Sequence, residues 1–120
     1  MIRWGADIGG GSILLIEIRS YKLLPGTSAE FDRLVVEQSV PILRRRNVDV
    51  VAYGPSAGGE DMYYLIRAYP NLEALQASED EFYGSAEWRQ GPREAILALI
   101  ETYSSIVVEV SEAAVQGLRR

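Results

Sequence analysis

Residues 13–21 read Ile13-Leu14-Leu15-Ile16-Glu17-Ile18-Arg19-Ser20-Tyr21, and they decide the fold. Leu14, Ile16 and Ile18 fall on one side of an extended chain. Leu15, Glu17, Arg19 and Tyr21 fall on the other. A period of two with two chemically different sides predicts a strand. Pro25-Gly26 breaks it. Thr27-Ser28-Ala29-Glu30 then has capping-box spacing, with the Thr27 hydroxyl accepting from the Glu30 amide. Phe31, Leu34, Val35, Gln38 and Ile42 recur at helical spacing and form a buried stripe. Pro41 lies inside that pattern and predicts a kink. The helix should end near Asn47.

Downstream, residues 48–55 and 62–69 read as two strands joined by the turn-rich Ala57-Gly58-Gly59-Glu60-Asp61, a β-hairpin. Pro70-Asn71 ends the second strand, and Asn71 caps a helix over residues 72–83. Ser85 caps a short turn carrying Trp88. Pro92 suits the first turn of a further helix whose apolar face is Ile96, Leu97, Leu99 and Ile100. Residues 104–110 form the last strand, and residues 112–120 a short helical tail. Upstream, residues 1–12 read as a flexible segment ending in Gly9-Gly10-Gly11-Ser12. These glycines precede a strand rather than link a strand to a helix, which is the wrong geometry for a phosphate loop. The domain is therefore placed at residues 13–110, with residues 111–120 outside it.

The order strand, helix, strand, strand, helix, strand predicts an α+β, ferredoxin-like βαββαβ fold with a four-stranded antiparallel sheet. Its first and third strands are central, and its helices cover one face. Leu14, Ile16, Ile18, Ile66, Ile106 and Val108 form an apolar face suited to the helices. Glu17, Arg19, Tyr21, Tyr63, Leu65, Arg67, Tyr69 and Glu109 fall on the other. That second face is too aromatic for water and too charged for an ordinary core. Burial against a second copy, two sheets closing into a barrel across a two-fold axis, satisfies both facts. Glu17 and Glu109 are then expected to pair with Arg19 and Arg67 across strands.

Composition narrows the chemistry. The 120 residues carry a net charge of −5, with 48% hydrophobic and 24% charged residues, which is globular composition. Acidity argues against a nucleic-acid partner, and Arg44-Arg45-Arg46 is explained by the dipole at a helix end. Without Cys or His there is no disulfide, no Cys/His zinc site, no His-ligated haem and no His-based nucleophile system. Acid–base work falls to Asp, Glu, Tyr, Lys or Arg. No apolar run is long enough to cross a bilayer, and no signal peptide is evident, so a soluble cytoplasmic protein is expected.

The string Ile16-Glu17-Ile18-Arg19-Ser20-Tyr21, followed by Leu24-Pro25-Gly26-Thr27 and Glu30-Phe31, resembles the opening of the NIPSNAP family. Val40-Pro41-Ile42-Leu43 and Ala86-Glu87-Trp88-Arg89 resemble two further signatures of that family. The resemblance spans roughly residues 13 to 110. It implies the dimeric α/β-barrel superfamily, whose members include cofactor-independent monooxygenases, isomerases, dehydratases and haem enzymes. The haem branches commonly use a His ligand that this sequence lacks.

Two functions follow as expectations. The first is a homodimeric, cofactor-independent enzyme, monooxygenase- or isomerase-like, acting on a small aromatic or acyl substrate. Glu17 serves as base if burial raises its pKa, and Arg19 holds a developing enolate or phenolate. Tyr21, Tyr64, Arg67 and Trp88 bind the substrate. The second is a non-catalytic dimeric binding or scaffold module in which the same residues are structural.

Overall fold

The alternating stretch forms β1 (Ile13–Leu23) in a computed structural model that describes residues 12–59 and 61–120. Of the expected flexible segment over residues 1–12, residues 1–11 lie outside the described residues, as does Glu60 of the hairpin turn. After β1 come α1 (Ser28–Leu34), a π-helical turn (Val35–Ser39), α2 (Val40–Arg45), β2 (Asp49–Pro55) and β3 (Met62–Tyr69). Then follow α3 (Leu72–Gly84), α4 (Ala86–Gln90), α5 (Arg93–Leu97), β4 (Ile100–Ser111) and α6 (Glu112–Leu118). The sheet is four-stranded in the order β2-β3-β1-β4, with every pairing antiparallel. This is the ferredoxin-like arrangement, with β1 and β3 central.

Local chemistry explains most boundaries. Asn71 caps α3 by accepting from the Ala74 amide at 2.8 Å, and Ser85 caps α4 by accepting from the Trp88 amide at 3.2 Å. The widened π-helical turn ends just before Pro41, whose ring crowds the preceding turn and which has no N–H to donate. Asn47 then adopts a left-handed φ of 61° that stops the chain.

Two local expectations are corrected. The capping box at Thr27 does not form. Thr27 lies at φ −103°, ψ 3°, not extended, and its hydroxyl instead donates to the Leu24 carbonyl at 2.7 Å. The helix after Pro92, α5, is also shorter than its apolar pattern. It ends at Leu97, which is exposed, and Ile100 already belongs to β4, paired with Leu23 beyond a register shift.

The larger correction concerns the faces. The grouping of residues is as expected, but the helices cover the opposite side. Tyr21, Leu23, Tyr63, Leu65 and Tyr69 pack in one core with Phe31, Leu34, Val35, Leu75, Phe82 and Trp88 from the helices. Ile16, Val51, Ala52, Ile66 and Ala68 lie on the other side, where α6 inserts a fully buried Val115. The alternation says which side chains share a face. Which face the crossovers cover is set by their handedness, a property of the chain path.

The residues expected as a tail thus shield part of the second face. The rest stays open, and Ile106 is 60% exposed. On the helix side of the same edge strand, Tyr103 is 60% exposed. No helix among the described residues is long and apolar enough to cross a membrane.

Candidate functional site

The register of β1 against β3 places Glu17 opposite Arg67 and Arg19 opposite Leu65, all on the helix-covered face. Arg67 is 1% exposed and Glu17 3%, so neither charge is solvated by bulk water. Burial of this depth demands partners. Arg67 supplies Nε to Glu17 Oε1 at 3.1 Å, and its Nη2 also donates to Oε1. From α3, Glu79 Oε2 accepts from Arg67 Nη2 at 3.2 Å, and Tyr83 Oη accepts from Arg67 Nη1 at 3.2 Å. Arg19 Nη1 donates to the same Tyr83 oxygen at 2.7 Å, and Arg19 Nη2 to Glu17 Oε2 at 3.2 Å. Two guanidinium groups, two carboxyls and one phenol thus form a closed network between sheet and helix.

The two carboxyls are not equivalent. Burial pushes Glu17 up, but a hydrogen bond with Glu79 and the charges of Arg67 and Arg19 outweigh it and hold Glu17 below the ordinary range. Burial, then that same shared hydrogen bond, pushes Glu79 up to about 7. Like-charged neighbours resolve their repulsion by sharing one proton, here carried by Glu79. Glu17 is therefore a weak base, whereas Glu79 titrates near neutrality. The expected Glu17–Glu109 contribution is redistributed, since Glu109 is exposed on β4 opposite Leu15 and Glu79 supplies the second carboxyl.

Beside the network a cleft of about 330 Å³ opens between the α3–α5 segment and β4. Arg19, Tyr21, Tyr83, Trp88, Ile100 and Tyr103 line it. The Arg19 guanidinium lies between two rings, 5.5 Å from the Tyr83 centroid and 5.4 Å from that of Tyr103. Its Nε is buried without a hydrogen-bond partner. Tyr83 stands edge-on to Trp88 at 5.6 Å. Behind these rings lies a void of about 30 Å³ bordered by Arg67 and Ser39, whose buried hydroxyl has no partner. It has room for about one water molecule.

The structure brings together five of the six residues expected at the site: Glu17, Arg19 and Arg67 in the network, Tyr21 and Trp88 on the cleft wall. Tyr64 is a correction. It stands opposite Ser20 and packs with the Ile16–Ile66 cluster on the far face, because its parity in β3 is even. Glu79 and Tyr83 were missed. Leu75, Glu79, Phe82 and Tyr83 recur at helical spacing from a capped N-terminus, a stripe that points both polar groups at the sheet. No group of three or more acidic ligands suited to a metal ion occurs among the described residues.

The family model described as NIPSNAP matches residues 16–111. A solved NIPSNAP family protein from Agrobacterium tumefaciens superposes with a TM-score of 0.78 at 16% identity, covering 87% of this chain and 91% of that one. An uncharacterized NIPSNAP domain protein from Burkholderia xenovorans gives 0.70 at 19% identity, covering 78% and 91%. A putative antibiotic biosynthesis monooxygenase from Nitrosomonas europaea gives 0.62 at 13% identity, covering 83% and 91%. At these identities the structural likeness shows the fold alone. Among curated proteins none matches.

Proposed function

The chain belongs to the NIPSNAP family, and on that premise we propose that it binds a small aromatic or acyl oxyanion in the Arg19 cleft as a homodimer. The observation that carries this reading is the Arg19 guanidinium at the cleft wall, its side chain 13% exposed and held between the Tyr83 and Tyr103 rings. Tyr83 Oη already accepts from both guanidinium groups, which leaves its own O–H to donate to a further acceptor. Arg19 and Tyr83 thus form a pair of donors for a phenolate or enolate, flanked by Trp88 and Tyr103 as apolar walls.

Such a site favours the ionised form of a bound phenol or enol. Among the described residues no carboxylate lines the cleft. The isomerase- or monooxygenase-like chemistry fits a substrate whose own carbanion reacts, with Arg19 stabilising charge, Glu17 positioning Arg19, and no resident cofactor. Isothermal titration of para-hydroxyphenylpropanoate methyl ester tests binding, and thermal shift reports it independently. Arg19→Gln is expected to weaken the wild-type affinity by about tenfold or more, the size of a lost charge-assisted hydrogen bond. Equal affinity in the variant overturns the reading. Oxygen uptake with the bound phenol then separates an enzyme from a binding module.

Dimerisation is carried by the open face, where Ile18, Ile106 and Val108 share one side of adjacent strands. A second copy of the same face offers a matched apolar surface across a two-fold axis. Sedimentation is expected to give a dimer that Ile106→Asp converts to folded monomer. A wild-type monomer at every concentration rules the dimer out.

A further inference from the structure

We propose that Arg89 and Arg93 form a carboxylate subsite for the far end of the same ligand, making the ligand class a bipartite aromatic or acyl acid; this rests on the Arg19 reading. A second, more polar cleft of about 630 Å³ lies on the outer side of α4 and α5, lined by Tyr83, Ala86, Arg89, Gln90, Arg93 and Glu94. It shares Tyr83 and Arg93 with the first cleft. A molecule whose oxyanion reaches Arg19 can therefore extend past the Tyr83 ring into it.

Two unpaired cations gathered at one cleft mark this place; Arg44 and Arg120 also make no ion pair among the described residues. Arg33, Arg45, Arg46 and Arg119 each hold a carboxylate, on Glu37, Glu87, Glu81 or Asp49. Arg89 and Arg93 are exposed and make no ion pair among the described residues. In a chain of net charge −5, two unpaired guanidinium groups at one cleft attract an anion locally against the overall sign.

The link between them is built tightly. A Cβ on Gly91 would collide with the Glu87 carbonyl oxygen, so only glycine permits this close passage from α4 to α5. That passage sets Arg89 and Arg93 at one cleft. Glu94 reaches the same cleft without bonding either guanidinium. Its charge limits the anion the cleft takes, which selects a single carboxylate over a polyphosphate.

The test is isothermal titration of para-hydroxyphenylpropanoate against its methyl ester, on wild type, Arg89→Gln and Arg19→Gln. The acid is expected to bind wild type about fivefold tighter than the ester, as one exposed charge contact provides. Arg89→Gln should remove that preference and leave the ester's affinity unchanged. Equal binding of acid and ester to wild type, or a preference that survives Arg89→Gln, overturns the subsite and leaves the Arg19 reading standing. An acid preference that depends on Arg89, with the affinities of both compounds unchanged in Arg19→Gln, keeps the subsite and removes the Arg19 reading. Absence of binding by both compounds removes both.

Discussion

On the helix-covered face of β1 and β3 stand Glu17, Arg19 and Arg67; one residue along, on the opposite face, stand Ile16, Ile18 and Ile66. The charged set is inside the chain's own core, and the aliphatic set is the one its long helices leave uncovered. Burying ions within a subunit is tolerable only because α3 brings Glu79 and Tyr83 to complete the hydrogen bonds. Leaving aliphatics outside is tolerable only because α6 covers part of them and, in the reading above, a twin covers the rest. The faces differ in what each demands: the first needs correct partners, the second needs only apolar area.

The sharpest way to break that contrast is Arg67→Met. It removes the more deeply buried of the two cations that contact both carboxyls, and the loss should reach about 3–5 kcal/mol by urea denaturation. Adding Glu79→Gln should recover much of it, since the remaining Arg19 and Glu17 charges then balance as a pair. A loss below about 1 kcal/mol for the single variant would mean that water already solvates the network.

The open face should answer more mildly. Val115→Ala removes a fully buried contact of α6 and should cost about 1–2 kcal/mol. Ile106→Ala on the uncovered part should leave monomer stability within about 0.5 kcal/mol while weakening self-association. Equal costs at both positions would show that α6 and a twin subunit shield this face alike.

These faces also mark what was legible beforehand. β3 over residues 62–69, the caps at Asn71 and Ser85, and the irregular helical turn before Pro41 all follow from local chemistry, and sequence carries local chemistry directly. The parity of Glu17, Arg19, Tyr21 and Arg67 was legible for the same reason, which is why most of the site came together. The side of the sheet that the helices cover was not, because handedness of a crossover leaves no trace in a strand's alternation. Tyr64 was displaced by that same parity, and Glu79 and Tyr83 were hidden in a helix where a buried stripe usually means only packing. Thr27 shows the converse, a good local motif overridden when the Pro25-Gly26 turn fixed its backbone out of reach.

The smallest effect is the most specific, because it depends on which carboxyl holds the shared proton. Glu79 has its folded-state pKa raised from the ordinary value to about 7. The folded state therefore binds more protons than the unfolded chain between those values, and stability falls as pH rises through that window. Glu17 is shifted the other way, so its stabilisation is present above the ordinary carboxyl range and is lost only on acidification below it. Glu79→Gln keeps a neutral side chain at every pH. It should flatten the fall between about pH 5 and pH 7 and gain about 1–2 kcal/mol over wild type at about pH 8, leaving the acid limb set by Glu17 in place. Melting curves of both proteins across that range decide it. Parallel profiles would place the proton elsewhere and return Glu79 to the ordinary carboxylates of the surface.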